Sequence, residues 1–265
     1  MKFENTQVFN FEGAFRGMRN PKNSWDRSDS EKIYWDGQWN TDDEKVKSYF
    51  TDYGVNFLLG GNDLKLAQAL IAGGTEHRKF MRQIFVSVDI TAPLYYWKEF
   101  STYKVGTVAN STSTMHKLTS KPITLDCFEI DDYDEKLEWV GASQGNMACM
   151  YDGEKSILRL IDMLEGLRLK YLDTKDKRYW KELVRWIPES WLQTRTVTMN
   201  YENLRSMNYQ RKNHKLNEWS GLDKPENVNF IKWVKSLPYA EELIYNRTST
   251  PYTFVKDEYL SSKNN

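Results

Sequence analysis

The chain has 265 residues, enough to bury a sizeable hydrophobic core as one domain with insertions. Its 37 basic and 37 acidic side chains cancel, so no global field draws it to nucleic acid or to an acidic membrane, and an anionic ligand must be met by a local cluster of cations. Two cysteines, Cys127 and Cys149, are too few for a disulfide scaffold and predict reduced thiols in a cytoplasmic protein.

The opening residues Met1-Lys2-Phe3-Glu4-Asn5 show no basic patch followed by an apolar run, so neither an export leader nor a membrane span is expected. Residues 11–45 mix Gly, Pro, Asn and Ser with Arg and Trp and show no sustained period; they read as an ordered but irregular loop. Arg16, Arg19 and Arg27 within it read either as surface charges or as phosphate contacts. Asn62-Asp63 is placed to cap a helix through Leu64, Ala67, Leu70 and Ile71, which Gly73-Gly74 then ends. Gln83 to Ile90 is rich in β-branched residues and partly alternating, as a strand should be, and Ala92-Pro93 stops it before an aromatic helix over Leu94 to Phe100.

From Gly106 to Ser120 small hydroxylated residues predict turns. Residues 121–153 read as an insertion, exposed and acidic through Glu129, Asp131, Asp132, Asp134 and Glu135, without the spacing of a calcium loop. Helical periodicity returns over Glu154–Leu172, Asp176–Ile187 and Tyr201–Trp219, with a last pair around Val228–Val234 and Tyr239–Ile244. This succession predicts a single α/β or α+β domain. His77, His116 and His214 lie far apart in the chain and no paired Cys accompanies them, so no zinc site is expected. The 10 Trp, 16 Tyr and 12 Phe read first as core and interface packing, and second as stacking surfaces for planar ligands.

Two stretches carry a resemblance. The first runs Gly73-Gly74-Thr75-Glu76-His77, then Phe85 to Pro93, then Glu99-Phe100-Ser101-Thr102-Tyr103-Lys104. The second runs Ile187-Pro188, Thr198-Met199-Asn200, Leu204, Met207 and Arg211. Both resemble, without gaps and in the right order, the flavin-dependent thymidylate synthases of the ThyX type. That family shows a first His at the position of His77, a second at Gln83, Ala-Pro at Ala92-Pro93, a Gln/Glu-Trp pair at Glu99-Phe100 and R-H-R-x7-S from Thr102. It then shows Leu-Pro, Thr-x-Asn and a helix ending in Arg at the position of Arg211. Independently of the family, Leu204, Met207 and Arg211 share one helix face, with the guanidinium read as either solvated or phosphate-binding.

The resemblance implies a central mixed or antiparallel sheet flanked by long helices. It further implies FAD, with NADPH and methylene-tetrahydrofolate as co-substrates, in a homotetramer that methylates C5 of dUMP to give dTMP. On it, flavin contacts fall to His77, Tyr103, Lys104, Asn200 and Ser206. Nucleotide contacts fall to Glu99, Arg211 and, one position from a family Arg, Arg185. Catalytic roles fall to Arg211 and to one of Ser111, Thr112 or Ser113. Thr102-Tyr103-Lys104 in place of Arg-His-Arg removes two bidentate forks and leaves a phenol and a point charge. That change leaves open an altered outcome such as pyrimidine hydroxymethylation, or a non-catalytic nucleotide- or nucleic-acid-binding protein.

Overall fold

The structure, a computed structural model, describes residues 1–36, 38–141 and 149–246. The chain opens with β1 (Lys2–Phe9), α1 (Phe11–Arg19), β2 (Glu31–Lys32), α2 (Glu44–Tyr53), β3 (Phe57–Leu58) and α3 (Gly61–Ala72). The middle holds β4 (Phe85–Pro93), α4 (Leu94–Phe100), β5 (Val108–Ser111), α5 (Thr114–Lys117), β6 (Glu138–Gly141) and β7 (Cys149–Asp152). Then follow α6 (Gly153–Thr174), α7 (Lys177–Trp186), β8 (Leu192–Asn200), α8 (Tyr201–Arg211), α9 (Asn217–Ser220) and α10 (Phe230–Ser236), with a π-helical turn over Ala240–Ile244. A four-stranded sheet has the order β1-β4-β8-β5, and β2 with β3 and β6 with β7 form two-stranded antiparallel ribbons. Helices and an antiparallel sheet together give the expected α+β class. No described helix is long and apolar enough to cross a membrane.

Two compact units can be distinguished: Met1 with Thr91–Thr102 and Ser111–Arg195, and Lys2–Ile90 with Tyr103–Asn110 and Thr196–Asn265. We call them the first and second unit. The second has an aromatic heart. Phe11 stacks on Phe57 with centroids 5.7 Å apart and meets Tyr201 and Tyr239 edge-on, while Phe15 meets Phe80. The buried phenols are not orphaned: Tyr239 donates to the Phe57 carbonyl at 2.7 Å and Tyr201 to the Pro238 carbonyl at 2.6 Å. Burial raises both hydroxyls well above the usual phenol range, so they stay protonated donors. Packing is therefore one use of the ring excess in the composition.

Several expectations need correction. Residues 11–19, read as part of an irregular loop, form a helix, because Phe11, Ala14, Phe15 and Met18 recur at helical spacing and are all buried; Gly13 and Gly17 had masked that stripe. Arg19 is no phosphate contact, since its Nε lies 2.6 Å from Asp63 with both side chains buried. Asp63 is no helix cap either: its carboxylate also accepts from the hydroxyls of Ser28 and Ser30, each at 2.6 Å. The cap comes from Asp29, whose carboxylate takes the amides of Asn62 at 2.8 Å and Asp63 at 3.1 Å. A side chain at Gly60 would collide with Asp29, which explains a glycine there. The helix does end at Gly73, and alternation along β4 buries Val86, Val88, Ile90 and Ala92.

Residues 106–120 hold β5 and α5 rather than turns alone. The span read as one helix over Tyr201–Trp219 breaks after Arg211, where His214 Nδ1 accepts the Leu216 amide at 3.1 Å and competes with helical bonding. Neither β1 nor β8 was anticipated.

In the first unit Leu118, Ile123, Phe128, Leu164 and Leu183 make a core cluster, so the start of the 121–153 segment is packed, whereas residues 131–140 are exposed as expected. Glu165 on α6 fastens that start. It accepts from Arg168 Nε at 2.7 Å and Nη2 at 2.5 Å, and from the Ile123 amide at 2.8 Å. Arg168 chiefly, through these bonds, holds the Glu165 carboxyl below its ordinary range. The folded value lies below the unfolded one, so the stabilisation is present above the unfolded value and is lost as pH falls through the folded one. Glu165→Gln should cost about 1.5–3 kcal/mol near neutrality. The gap between variant and wild type in urea denaturation should close in acid, and a gap independent of pH would contradict this role.

Candidate active site

The carboxyl-terminal half of α8 positions one group of candidates in the second unit. Leu204 and Met207 face inward and are fully buried, which leaves Arg211 half-buried at the end of the same stripe, as its spacing predicted. Its Nε donates to the Tyr103 hydroxyl at 2.8 Å. Its guanidinium lies 5.5 Å from the Tyr103 ring centroid and 5.0 Å from that of Trp219, which is fully buried. The Tyr103 hydroxyl donates in turn to Gln210 Oε1 at 3.1 Å, and Gln210 Nε2 donates to Ser206 Oγ at 3.1 Å. Arg211, Tyr103, Gln210 and Ser206 thus form one polar chain, with the Tyr103 and Trp219 rings, their centroids 6.3 Å apart, both beside the cation. A phenol oxygen and two rings restrain the guanidinium, and fixed orientation is what a charge-stabilising group needs.

At the amino end of α8, Asn200 and Asn203 make a reciprocal capping box, each side chain accepting the other's backbone amide, at 2.9 and 3.2 Å. Asn203 Nδ2 also donates to the Val105 carbonyl at 2.8 Å. Gly106 sits in the left-handed region, at φ 75°, where a Cβ would lie 2.9 Å from Asn203 Oδ1 and 3.0 Å from Asn200 Nδ2. Asn203 therefore holds the 103–107 loop against α8, and Asn200 in turn fixes Asn203 through the capping box. Lys104 is exposed on that loop.

His77 is exposed in the turn after α3 and lines a cleft of about 450 Å³ with Met18, Lys22, Leu70, Phe80 and Gln83. His77 and Gln83 line the same cleft.

The first unit holds the remaining candidates. Glu99 lies in the last turn of α4, partly buried. Thr112 donates through both its amide and its hydroxyl to the Thr194 carbonyl, at 2.9 and 3.2 Å. Ser113 caps α5 by accepting the His116 amide at 3.1 Å. Both groups are committed locally, whereas the Ser111 hydroxyl is exposed and bonds to no described residue. Arg185 is exposed on α7 and paired with Glu182 one turn earlier.

Arg195, on β8, is a residue that sequence reading missed. Its guanidinium stacks 4.3 Å from the ring centroid of buried Trp97, its Nε donates to Gln193 Oε1 at 3.0 Å, and its Nη1 reaches Ser101 Oγ at 3.5 Å. Recognising β8 from its Thr194, Thr196, Val197, Thr198 run would have exposed an arginine among neutral strand neighbours.

No protein-family model matches the chain, and no curated protein matches it by sequence. Solved structures do. The flavin-dependent thymidylate synthase ThyX from Helicobacter pylori, complexed with FAD and dUMP, aligns at a TM-score of 0.56 with 14% identity, over 93% of this chain and 99% of that one. A second structure of the same enzyme with FAD and dUMP gives 0.56, 13%, 93% and 98%. The fold is that of flavin-dependent thymidylate synthase. A UMP/dUMP methylase, PolB from Streptomyces cacaoi bound with 5-Br UMP, aligns at 0.46 with 14% identity over 83% of this chain and 95% of its own. The ThyX-like fold accounts for how Tyr103 and Arg211, separated by 108 positions, come to share a hydrogen bond.

Proposed function

We propose that the chain is a flavin-dependent enzyme acting at C5 of a pyrimidine deoxynucleotide, methylating dUMP to dTMP with FAD, NADPH and methylene-tetrahydrofolate. The observation that carries this reading is the restrained Arg211 tied to Tyr103 in a chain with the ThyX-like fold. The donor set fits a planar anionic cofactor: a half-buried phenol ring for stacking, the Gln210 and Ser206 polar groups beside it, and Lys104 as a local cation. Gly106 lets the loop backbone approach Asn203 and Asn200, where a side chain would intrude, and so keeps Tyr103 and Lys104 beside α8.

When bound, the flavin supplies hydride chemistry. Arg211 holds positive charge where negative charge grows on the pyrimidine, and Tyr103 restrains that guanidinium. Asn203 supports the loop that carries Tyr103 and Lys104, while Asn200, His77 and the cleft beside His77 offer further surface to the cofactor. In the first unit Glu99 and the Ser111, Thr112 and Ser113 hydroxyls receive the nucleotide; Arg185 joins them only by exchanging Glu182 for a ligand anion. A homotetramer in the cytoplasm completes the reading.

Thr102-Tyr103-Lys104 in place of three basic side chains favours one second reading, in which the same site yields a different C5 product such as a hydroxymethyl group. Titrating the purified chain with FAD tests the shared premise. Saturable binding with a structured flavin spectrum is expected, and it should weaken by about tenfold in Tyr103→Ala. A chain that leaves the FAD spectrum unchanged at every concentration would exclude both readings.

A further inference from the structure

Among the described residues the buried arginines come with a carboxylate, and so does partly buried Arg78. Arg19 has Asp63, Arg168 has Glu165, and Arg78 has Glu202 at 2.8 Å. Arg205 lacks a direct carboxylate contact and donates to the Ile244 carbonyl; burial first and then Arg78 disfavour its charged form, against the opposing pull of Glu202. Arg195 has neither a carboxylate nor a backbone carbonyl among its contacts with described residues. Among the described residues its contacts are the Trp97 ring, Gln193 and Ser101, all neutral. Burial alone disfavours its charged form. A half-desolvated cation held by neutral groups is a costly arrangement unless an anion arrives to complete it.

The surroundings are built, not incidental. Trp97 is buried and pinned by its own Nε1 donating to the Gln193 carbonyl at 2.9 Å. The Gln193 side chain is clamped at both ends: Oε1 takes Arg195 Nε, and Nε2 donates to the Thr112 carbonyl at 3.0 Å and to Thr114 Oγ1 at 3.1 Å. The guanidinium is thereby stacked on one face and held along its Nε side. Its Nη1 and Nη2 end remains, with Ser101 beside it, and that end is the fork which pairs bidentately with an oxyanion.

We propose that Arg195 is an anion-receiving residue of the first unit, its Nη1/Nη2 fork taking the 5′-phosphomonoester of the nucleotide, with Trp97 and Gln193 as positioning residues. The anion site stands on this geometry alone; its assignment to a nucleotide rests on the proposed function. Ser101 Oγ accepts from Nη1 while its own hydrogen goes to the Trp97 carbonyl at 2.6 Å, so the guanidinium fork itself meets the anion, and phosphate is preferred to carboxylate because the proposed substrate carries one.

Isothermal titration of the 265-residue chain with dUMP, deoxyuridine, inorganic phosphate and glutarate, in wild type, Arg195→Gln and Arg195→Lys, tests this. Arg195→Gln should weaken dUMP by about ten- to hundredfold and leave deoxyuridine within about twofold. Arg195→Lys should fall between, since it keeps the charge and loses the fork. FAD affinity should be unchanged in both variants, which separates this site from the flavin reading. Phosphate binding that depends on Arg195, without a preference for dUMP, would keep the anion site and remove the nucleotide. Equal dUMP affinity in Arg195→Gln, a parallel fall in deoxyuridine, or a preference for glutarate would overturn the proposal.

Discussion

Arg211→Ala is expected to weaken dUMP binding by about 1.5–3 kcal/mol, the range for losing a charge-assisted hydrogen bond, as read by calorimetry on the FAD-loaded protein. The guanidinium is held on two rings and one phenol oxygen. Its loss therefore removes a preorganised donor rather than a mobile surface charge. Arg211→Lys should recover only part of the affinity, because an ammonium cannot reproduce a planar fork. Tyr103→Phe should cost less than either, since it frees the guanidinium without removing it. Unchanged dUMP affinity in Arg211→Ala, with the fold intact by circular dichroism, would take Arg211 out of the site.

The largest stability effect should come from Asp63→Ala. That change strands a buried guanidinium on Arg19 and leaves two serine hydroxyls without their acceptor. Breaking one partner of a buried pair costs about 3–5 kcal/mol, enough to lower a urea midpoint by a large fraction of its value. Removing both charges together, as in Arg19→Met with Asp63→Leu, should cost less than Asp63→Ala alone, because no unpaired buried charge remains. A single-site loss below about 1 kcal/mol would place the pair among ordinary surface bridges.

The parts of this fold that could be read from sequence are those where one local rule dominates. Strand β4 was legible because Val86, Val88 and Ile90 alternate, although it runs on through Ala92 and Pro93, which had read as its stop, and α6 because its apolar residues recur over 22 positions. Helix α1 was hidden by Gly13 and Gly17, although Phe11, Phe15 and Met18 already marked its inner face. The capping of α3 by Asp29 was not legible, since the donor amides and the acceptor lie more than thirty positions apart. For the site, helical spacing placed Arg211 at the end of a buried stripe, and only the family resemblance linked it to Tyr103. The β8 run was the one local sign of Arg195, and its character depends on Trp97 and Gln193 being folded beneath and beside it.

The account turns on C5 chemistry supported by a bound flavin. Its most direct test is a single-turnover reaction without oxygen, in which the FAD-loaded chain is reduced with NADPH, mixed with methylene-tetrahydrofolate and dUMP, and the nucleotide is analysed by mass spectrometry. Conversion of dUMP to dTMP, lost in Arg211→Ala, is the predicted result. Recovery of dUMP unaltered from a fully reduced, nucleotide-saturated protein would contradict it.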